Sequence, residues 1–196
     1  MKSGFIMENM LLGVTGSIGI ISYADYILMF RENIAKNIRV IMSKSAAKFI
    51  TPFSLRVYSG NDVYTDSFDI ADNIYIPHLE LVRKSDLFLI MPATANTIGK
   101  LANGISDNLI STCVIAARIP IVIVPGMNSD MWFSTANQRN VKLVKELGYH
   151  ILEPKKSEKN YDSIINFYHK REEEISISPI EYEEIVTFIK EIVAGK

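Results

Sequence analysis

The chain has little with which to staple itself, enter a bilayer or bind a polyanion. Its one cysteine, Cys113, cannot form an internal disulfide. No apolar run approaches the ~20 residues that cross a hydrocarbon core, which excludes a transmembrane helix. Net charge is equally scarce: 21 basic against 22 acidic side chains leave −1 over 196 residues, and the basic ones are scattered. Phosphate backbones find no basic stripe here, so neither nucleic acid nor membrane is an expected partner. The histidines are three, His78, His150 and His169, and no metal site is expected. Residues 1–10 hold one lysine and a short apolar patch, too little for a signal peptide. They are expected to form a disordered leader, and the protein to be cytoplasmic.

Apolar residues are plentiful. They make up 48% of the chain, enough for one sizeable core and short for two, so residues 11–196 are expected to form a single domain. Three continuous apolar runs, Leu11–Val14, Leu87–Met91 and Ile121–Val124, each end in a Gly- or Pro-containing turn before a helix-like stretch. A fourth, Ile38–Met42, leads into Ser43-Lys44-Ser45. Unbroken apolar strands suit a parallel sheet covered on both faces, because alternation would leave one face wet. The spacing therefore predicts a doubly wound, Rossmann-like or flavodoxin-like α/β fold.

A first helix is expected over about Ser17 to Phe30, with Ile20, Ala24, Ile27 and Leu28 on its buried stripe. Others are expected over Asn96–Asn103, from an N-cap at Asp107 to about Ala117, and from Ser134 to Leu147, with a last strand at Tyr149–Leu152. Ser178-Pro179-Ile180-Glu181 combines a capping box with proline at the first helical position and opens a final helix. Residues 155–177 are polar and aromatic-dotted and read as an excursion from the core.

Five stretches offer chemistry. Gly13 to Gly19 is either an ordinary tight turn or an anion cradle in which backbone N–H groups, Thr15 and Ser17 face a phosphate. After the next strand, Ser43 and Lys44 stand where NAD-binding folds place an acidic ribose ligand. A hydroxyl and an ammonium suit the phosphate of a mononucleotide or of NADP, or else Ser43 simply caps the next helix. Phe49, one turn on, packs on a flat ring or on the core. Pro92-Ala93-Thr94-Ala95-Asn96-Thr97 joins small residues to hydrogen-bonding ones beyond a strand C-terminus, where α/β sheets bind ligands. Pro125 to Trp132 sets the only tryptophan, Met127, Met131 and Asn128 in one strand-to-helix turn, a soft apolar wall carrying an amide. An unperturbed imidazole exchanges protons near neutral pH, so His78 reads as either a proton carrier or a structural side chain.

Together these stretches resemble the flavin-dependent cysteine decarboxylases. That family comprises phosphopantothenoylcysteine decarboxylases and the peptidyl-cysteine decarboxylases of lantibiotic biosynthesis. Its P-x-S/T-A-N-T segment stands here as Pro92 to Thr97, its P-x-M-N-x-x-M-W segment as Pro125 to Trp132, its active-site histidine as His78 and its Gly-Ser turn as Gly16-Ser17. The similarity runs from about Leu11 to Pro154.

The resemblance implies FMN as cofactor, with Gly16, Ser17, Ser43, Phe49, Ala95, Asn96, Thr97 and Met127 around it. It also implies His78 as base or orienting group and Asn128 as ligand of the departing carboxylate. A trimer binding FMN between subunits is implied too, often assembled into a dodecamer. The phosphopantothenoylcysteine enzymes carry a cysteine-bearing A-C-G-D-x-G-x-G-R-M segment after the core, and no cysteine follows Cys113 here. Cys113 itself, among Ile110, Val114 and Ile115, reads as a buried inert thiol. The expected substrate is accordingly a precursor peptide with a C-terminal cysteine, residues 155–177 acting as its clamp. A decarboxylase of coenzyme A biosynthesis and a non-catalytic flavoprotein regulatory subunit are the alternatives. The presence of both His78 and Asn128 opposes the second.

Overall fold

The computed structural model describes residues 5–69, 74–157, 176–177 and 180–195. Strands β1 (Met7–Val14), β2 (Ala35–Met42), β3 (Val63–Tyr64), β4 (Leu87–Ala93), β5 (Ile121–Pro125) and β6 (His150–Ile151) form a parallel sheet of order β3-β2-β1-β4-β5-β6. Every residue of β4 and β5 is buried, as continuous apolar strands between two helical layers must be. The sheet order reverses direction between β1 and β4. This is the switch point at which doubly wound sheets open a crevice beyond the strand C-termini.

Alternate strand residues feed two cores. Leu12, Val14, Val122 and Val124 face α1 (Ile20–Asn33) and the C-terminal helix α8 (Tyr182–Ala194). Leu11, Phe88, Ile121 and Ile123 face the opposite layer, which includes α3 (Pro77–Arg83), α4 (Ala95–Ala102), α5 (Leu109–Ala116) and α7 (Thr135–Glu146). Helix α2 (Pro52–Ser59) starts at Pro52 behind the Thr51 cap, and the five-residue α6 (Ser129–Phe133) precedes α7.

Several boundaries differ from the sequence reading. Strand β1 begins at Met7, so residues 7–10 are not leader. Met7 and Met10 are buried, and Asn9 exchanges hydrogen bonds with Asp86, its N–H to Oδ2 at 2.8 Å and its carbonyl from the Asp86 N–H at 2.8 Å. Residues 1–4 lie outside the described residues. Helix α1 starts at Ile20, and its stripe is Ile20, Ala24, Ile27 and Phe30. Leu28 stays 41% exposed, because α8 covers the Phe30 side of the helix with Tyr182, whose hydroxyl donates to the Met29 carbonyl at 3.1 Å.

Asn108 rather than Asp107 caps α5, accepting the Ser111 N–H at 3.1 Å, while Asp107 is engaged by Lys100. Glu181 and Glu184 make the capping box of α8, later than the expected Ser178 start. Residues 178–179 lie outside the described residues, as does most of the expected clamp. Its ends, β7 (Lys156–Ser157) and β8 (Ser176–Ile177), pair antiparallel.

Phe30 is fully buried, with its ring 5.4 Å from that of Tyr182 and 6.5 Å from that of Tyr26, and so couples α1 to α8. Phe30→Ala is expected to cost about 3–5 kcal/mol in urea unfolding, whereas Leu28→Ala should stay within about 0.5 kcal/mol.

Candidate active site

Three turns meet beyond the C-terminal ends of β1, β2 and β4. Thr15 follows β1 and is 3% exposed; its hydroxyl donates to the Pro92 carbonyl at 2.6 Å and accepts the Thr94 N–H at 3.0 Å. Thr94 caps α4, accepting the Thr97 N–H at 3.3 Å. The Ser43 N–H donates to the Val14 carbonyl at 2.9 Å, and the Ser43 hydroxyl accepts from the Ala46 N–H at 3.2 Å. Ser43 therefore caps the following turn, and it also lines the cleft. Gly16 sits so close to the Ser43–Ser45 turn that a Cβ there would fall 2.4 Å from the Ser45 Cβ. On the far side a Cβ on Gly126 would lie 2.4 Å from the Pro92 Cβ and 3.3 Å from the Ser17 hydroxyl.

These turns enclose a cleft of about 650 Å³. Of the residues chosen from sequence, Gly16, Ser43, Asn96 and Thr97 line it, and Thr94 and Met131 join them. Ser17 and Ala95 stand next to lining residues along the chain, and Met127 does not. Met127 packs its side chain against the second core. Phe49 lies neither in the core nor on the cleft wall and is 42% exposed.

His78 and Asn128 are half-buried and do not line the cleft of this single chain. His78 is the second residue of α3, behind a turn held by Glu80, which accepts the Tyr75 and Ile76 N–H groups at 2.8 and 3.0 Å. Those two donors, Ile76 first, hold the Glu80 carboxyl below the usual carboxylate range. Asn128 caps α6, its Oδ1 accepting from the Met131 N–H at 3.0 Å. His150 is exposed, and His169 lies outside the described residues.

Sequence reasoning missed part of the wall. Lys100 donates to both carboxylate oxygens of Asp107, at 2.8 and 2.7 Å, and both residues face the cleft. The ammonium holds the Asp107 carboxyl below its ordinary range. Asp66, Ser67 and Phe68 close another side, with Lys44 4.0 Å from the Asp66 carboxylate. The helical position of Lys100 was legible, but its meeting with a residue in the next loop depends on how that loop folds back. Cys113 is fully buried in α5, and burial pushes its thiol up to about 12, which makes it inert. Among the described residues no group of three His, Cys, Asp or Glu could hold a metal, and no helix is long and apolar enough to cross a membrane.

A switch-point cleft walled by hydroxyls, amides and two lysine–aspartate pairs suits a phosphate-bearing ligand in a flavodoxin-like fold. Its volume and its close glycine approach fit a mononucleotide carrying a flat ring. The model of the family described as Flavoprotein matches residues 6–192. Among solved structures the FMN-dependent cysteine decarboxylase SpaF superposes with a TM-score of 0.76 at 28% identity, covering 95% of this chain and 97% of that one. The peptidyl-cysteine decarboxylase EpiD gives 0.78 at 27% identity, covering 93% and 98%. The coenzyme A biosynthesis bifunctional protein CoaBC of Bacillus subtilis (strain 168) is 37% identical over 147 residues, 75% of this chain. This chain spans 36% of that relative's length.

The chain belongs to the flavoprotein family, among the flavin-dependent cysteine decarboxylases, and its cofactor is FMN. Gly16→Ala should force the first two turns apart. FMN affinity is expected to fall at least about tenfold in a fluorescence titration while the circular dichroism stays native.

Proposed function

We propose that the protein oxidatively decarboxylates the C-terminal cysteine of a precursor peptide to an aminoenethiol, in the biosynthesis of a lantibiotic-like ribosomal product in the cytoplasm. The observation that carries this reading is the state of the only thiol: Cys113 is buried and held protonated, so the chain offers no cysteine to act late in the reaction. The resemblance ties such a cysteine to the phosphopantothenoylcysteine enzymes and its absence to the peptidyl ones.

FMN supplies the acceptor for the two electrons removed when the substrate CH2–SH becomes CH=S. The C=S group, β to the carboxylate, takes up the electron pair left as CO2 departs. Without that sink the pair would be stranded on the α-carbon. His78 accepts the thiol proton and raises the sulfur's reactivity. The amide oxygen of Asn128 is committed to capping α6, which leaves its NH2 group to donate to the substrate carboxylate. Ser17, Ala95, Phe49 and Met127 complete the cofactor surroundings. Residues 155–177, between β6 and α8, are assigned as the clamp over the peptide, from their place in the chain and their lack of cysteine.

The absence of His78 and Asn128 from one chain's cleft wall supports an assembly in which neighbouring copies complete each site, and the resemblance makes that assembly a homotrimer, built further into a dodecamer. Exposed Tyr75 and Ile76 flank His78, and exposed Met131 and Phe133 follow Asn128, apolar surface that such an interface would cover. Light scattering of the FMN-loaded protein is expected to give a multiple of three chains; a monomer retaining FMN would refute the assembly.

CoaBC supports one further reading, a phosphopantothenoylcysteine decarboxylase. Mass spectrometry separates the two. A Cys-terminated peptide should lose about 46 Da, CO2 and two hydrogens, and phosphopantothenoylcysteine should be unchanged. The opposite pattern would establish the coenzyme A reading. His78→Asn is expected to keep FMN and lose turnover, and full activity would remove His78 from the chemistry.

A further inference from the structure

The turn that carries Asn128 and Met131 is too short to hold itself. Helix α6 has five residues, well under the length at which helix propagation offsets its nucleation. Its C-terminal carbonyls are instead gripped by the start of α7. The Ser134 hydroxyl donates to the Met131 carbonyl at 2.9 Å. The Trp132 carbonyl receives two side-chain amides, Asn137 Nδ2 at 3.0 Å and Gln138 Nε2 at 2.7 Å.

Asn137 is an unusual choice for packing alone. It is 3% exposed, and its Oδ1 is buried with no hydrogen-bond partner among the described residues. A buried amide satisfied on one side only is worse for stability than an apolar side chain of the same shape. What the residue gains at this position is its bond to the Trp132 carbonyl.

We propose that Asn137 and Gln138 are positioning residues for the substrate wall: their paired amides grip the Trp132 carbonyl and thereby hold Met131 on the cleft and Asn128 at the head of the same turn. The part of this that concerns substrate rests on the role given to Asn128 above; the part that concerns the turn does not. Trp132, 2% exposed and the only tryptophan of the chain, reports on the turn directly.

The test compares the FMN-loaded wild type with the double variant Asn137→Leu, Gln138→Leu, well below the melting temperature. Acrylamide quenching of Trp132 is expected to at least double. KM for a Cys-terminated peptide should rise at least about tenfold, with kcat within about threefold and the FMN content unchanged. Gln138→Lys in the Asn137→Leu background restores one donor to the carbonyl and is expected to recover both quenching and KM. A double variant that merely melts earlier, with quenching and KM as in the wild type, overturns the proposal. So does a raised KM without added quenching, since the amides would then act on the substrate and not on the turn. A wild type that decarboxylates no thiol substrate sinks the decarboxylase reading alone, and the quenching comparison then decides this one.

Discussion

The Thr15 side chain is the bond on which the site depends. Strands β1 and β4 pair from Met10 with Leu87 to Gly13 with Ile90, where their common register ends. The Thr15 N–H still reaches the Pro92 carbonyl at 3.3 Å, and the Thr15 hydroxyl, both donating and accepting, carries the connection on to Thr94. Without the hydroxyl the Thr94 N–H would lose this acceptor, and the Pro92 carbonyl would keep only the longer bond from the Thr15 N–H. Threonine at this position thus extends the sheet's register into the turns. It fixes the first cleft wall, Gly16, against the third, Thr94 to Thr97.

The remaining walls follow the same economy. Gly16 and Gly126 let neighbouring turns touch where any side chain would push them apart, and Thr94 and Asn108 both cap the helices that leave the cleft. The two lysines of the lining each face a carboxylate, Lys44 with Asp66 and Lys100 with Asp107. Hydroxyls and backbone N–H groups at the strand-to-helix turns are therefore the donors left for a phosphate, and helix N-termini favour that charge. The FMN cofactor and the cysteine substrate proposed above suit this kind of cleft, which is polar at the turns and apolar around Met131 and Ile110.

Much of the fold was readable along the chain. Three of the six sheet strands announced themselves as apolar runs, because a strand buried on both faces needs apolar residues at every position, and β2 showed as a fourth run interrupted by Arg39. The two-residue strands β3 and β6 carry too few residues to show a period, and β3 went unseen. Helix ends were less legible where two polar residues compete for one cap. Asp107 and Asn108 are chemically alike as caps, and only the arrival of Lys100 explains why the second residue serves. Leu28 and Phe30 are likewise comparable on the helical wheel of α1, and the choice between them was made by α8, about 150 residues away.

The sequence by itself determined the long strands of the sheet, which turns bear hydroxyls, glycines and the Met-Asn-Trp cluster, and that one thiol exists. Those properties follow from local side-chain chemistry and its spacing. The tertiary structure alone decided that Gly16, Ser43, Asn96 and Thr97 share one cleft while His78, Asn128 and Phe49 stand outside its wall. Strand order is written in backbone hydrogen bonds, identical in form for every residue type. A contact such as Thr15 to Pro92, 77 positions apart, therefore leaves no local mark until the sheet is assembled.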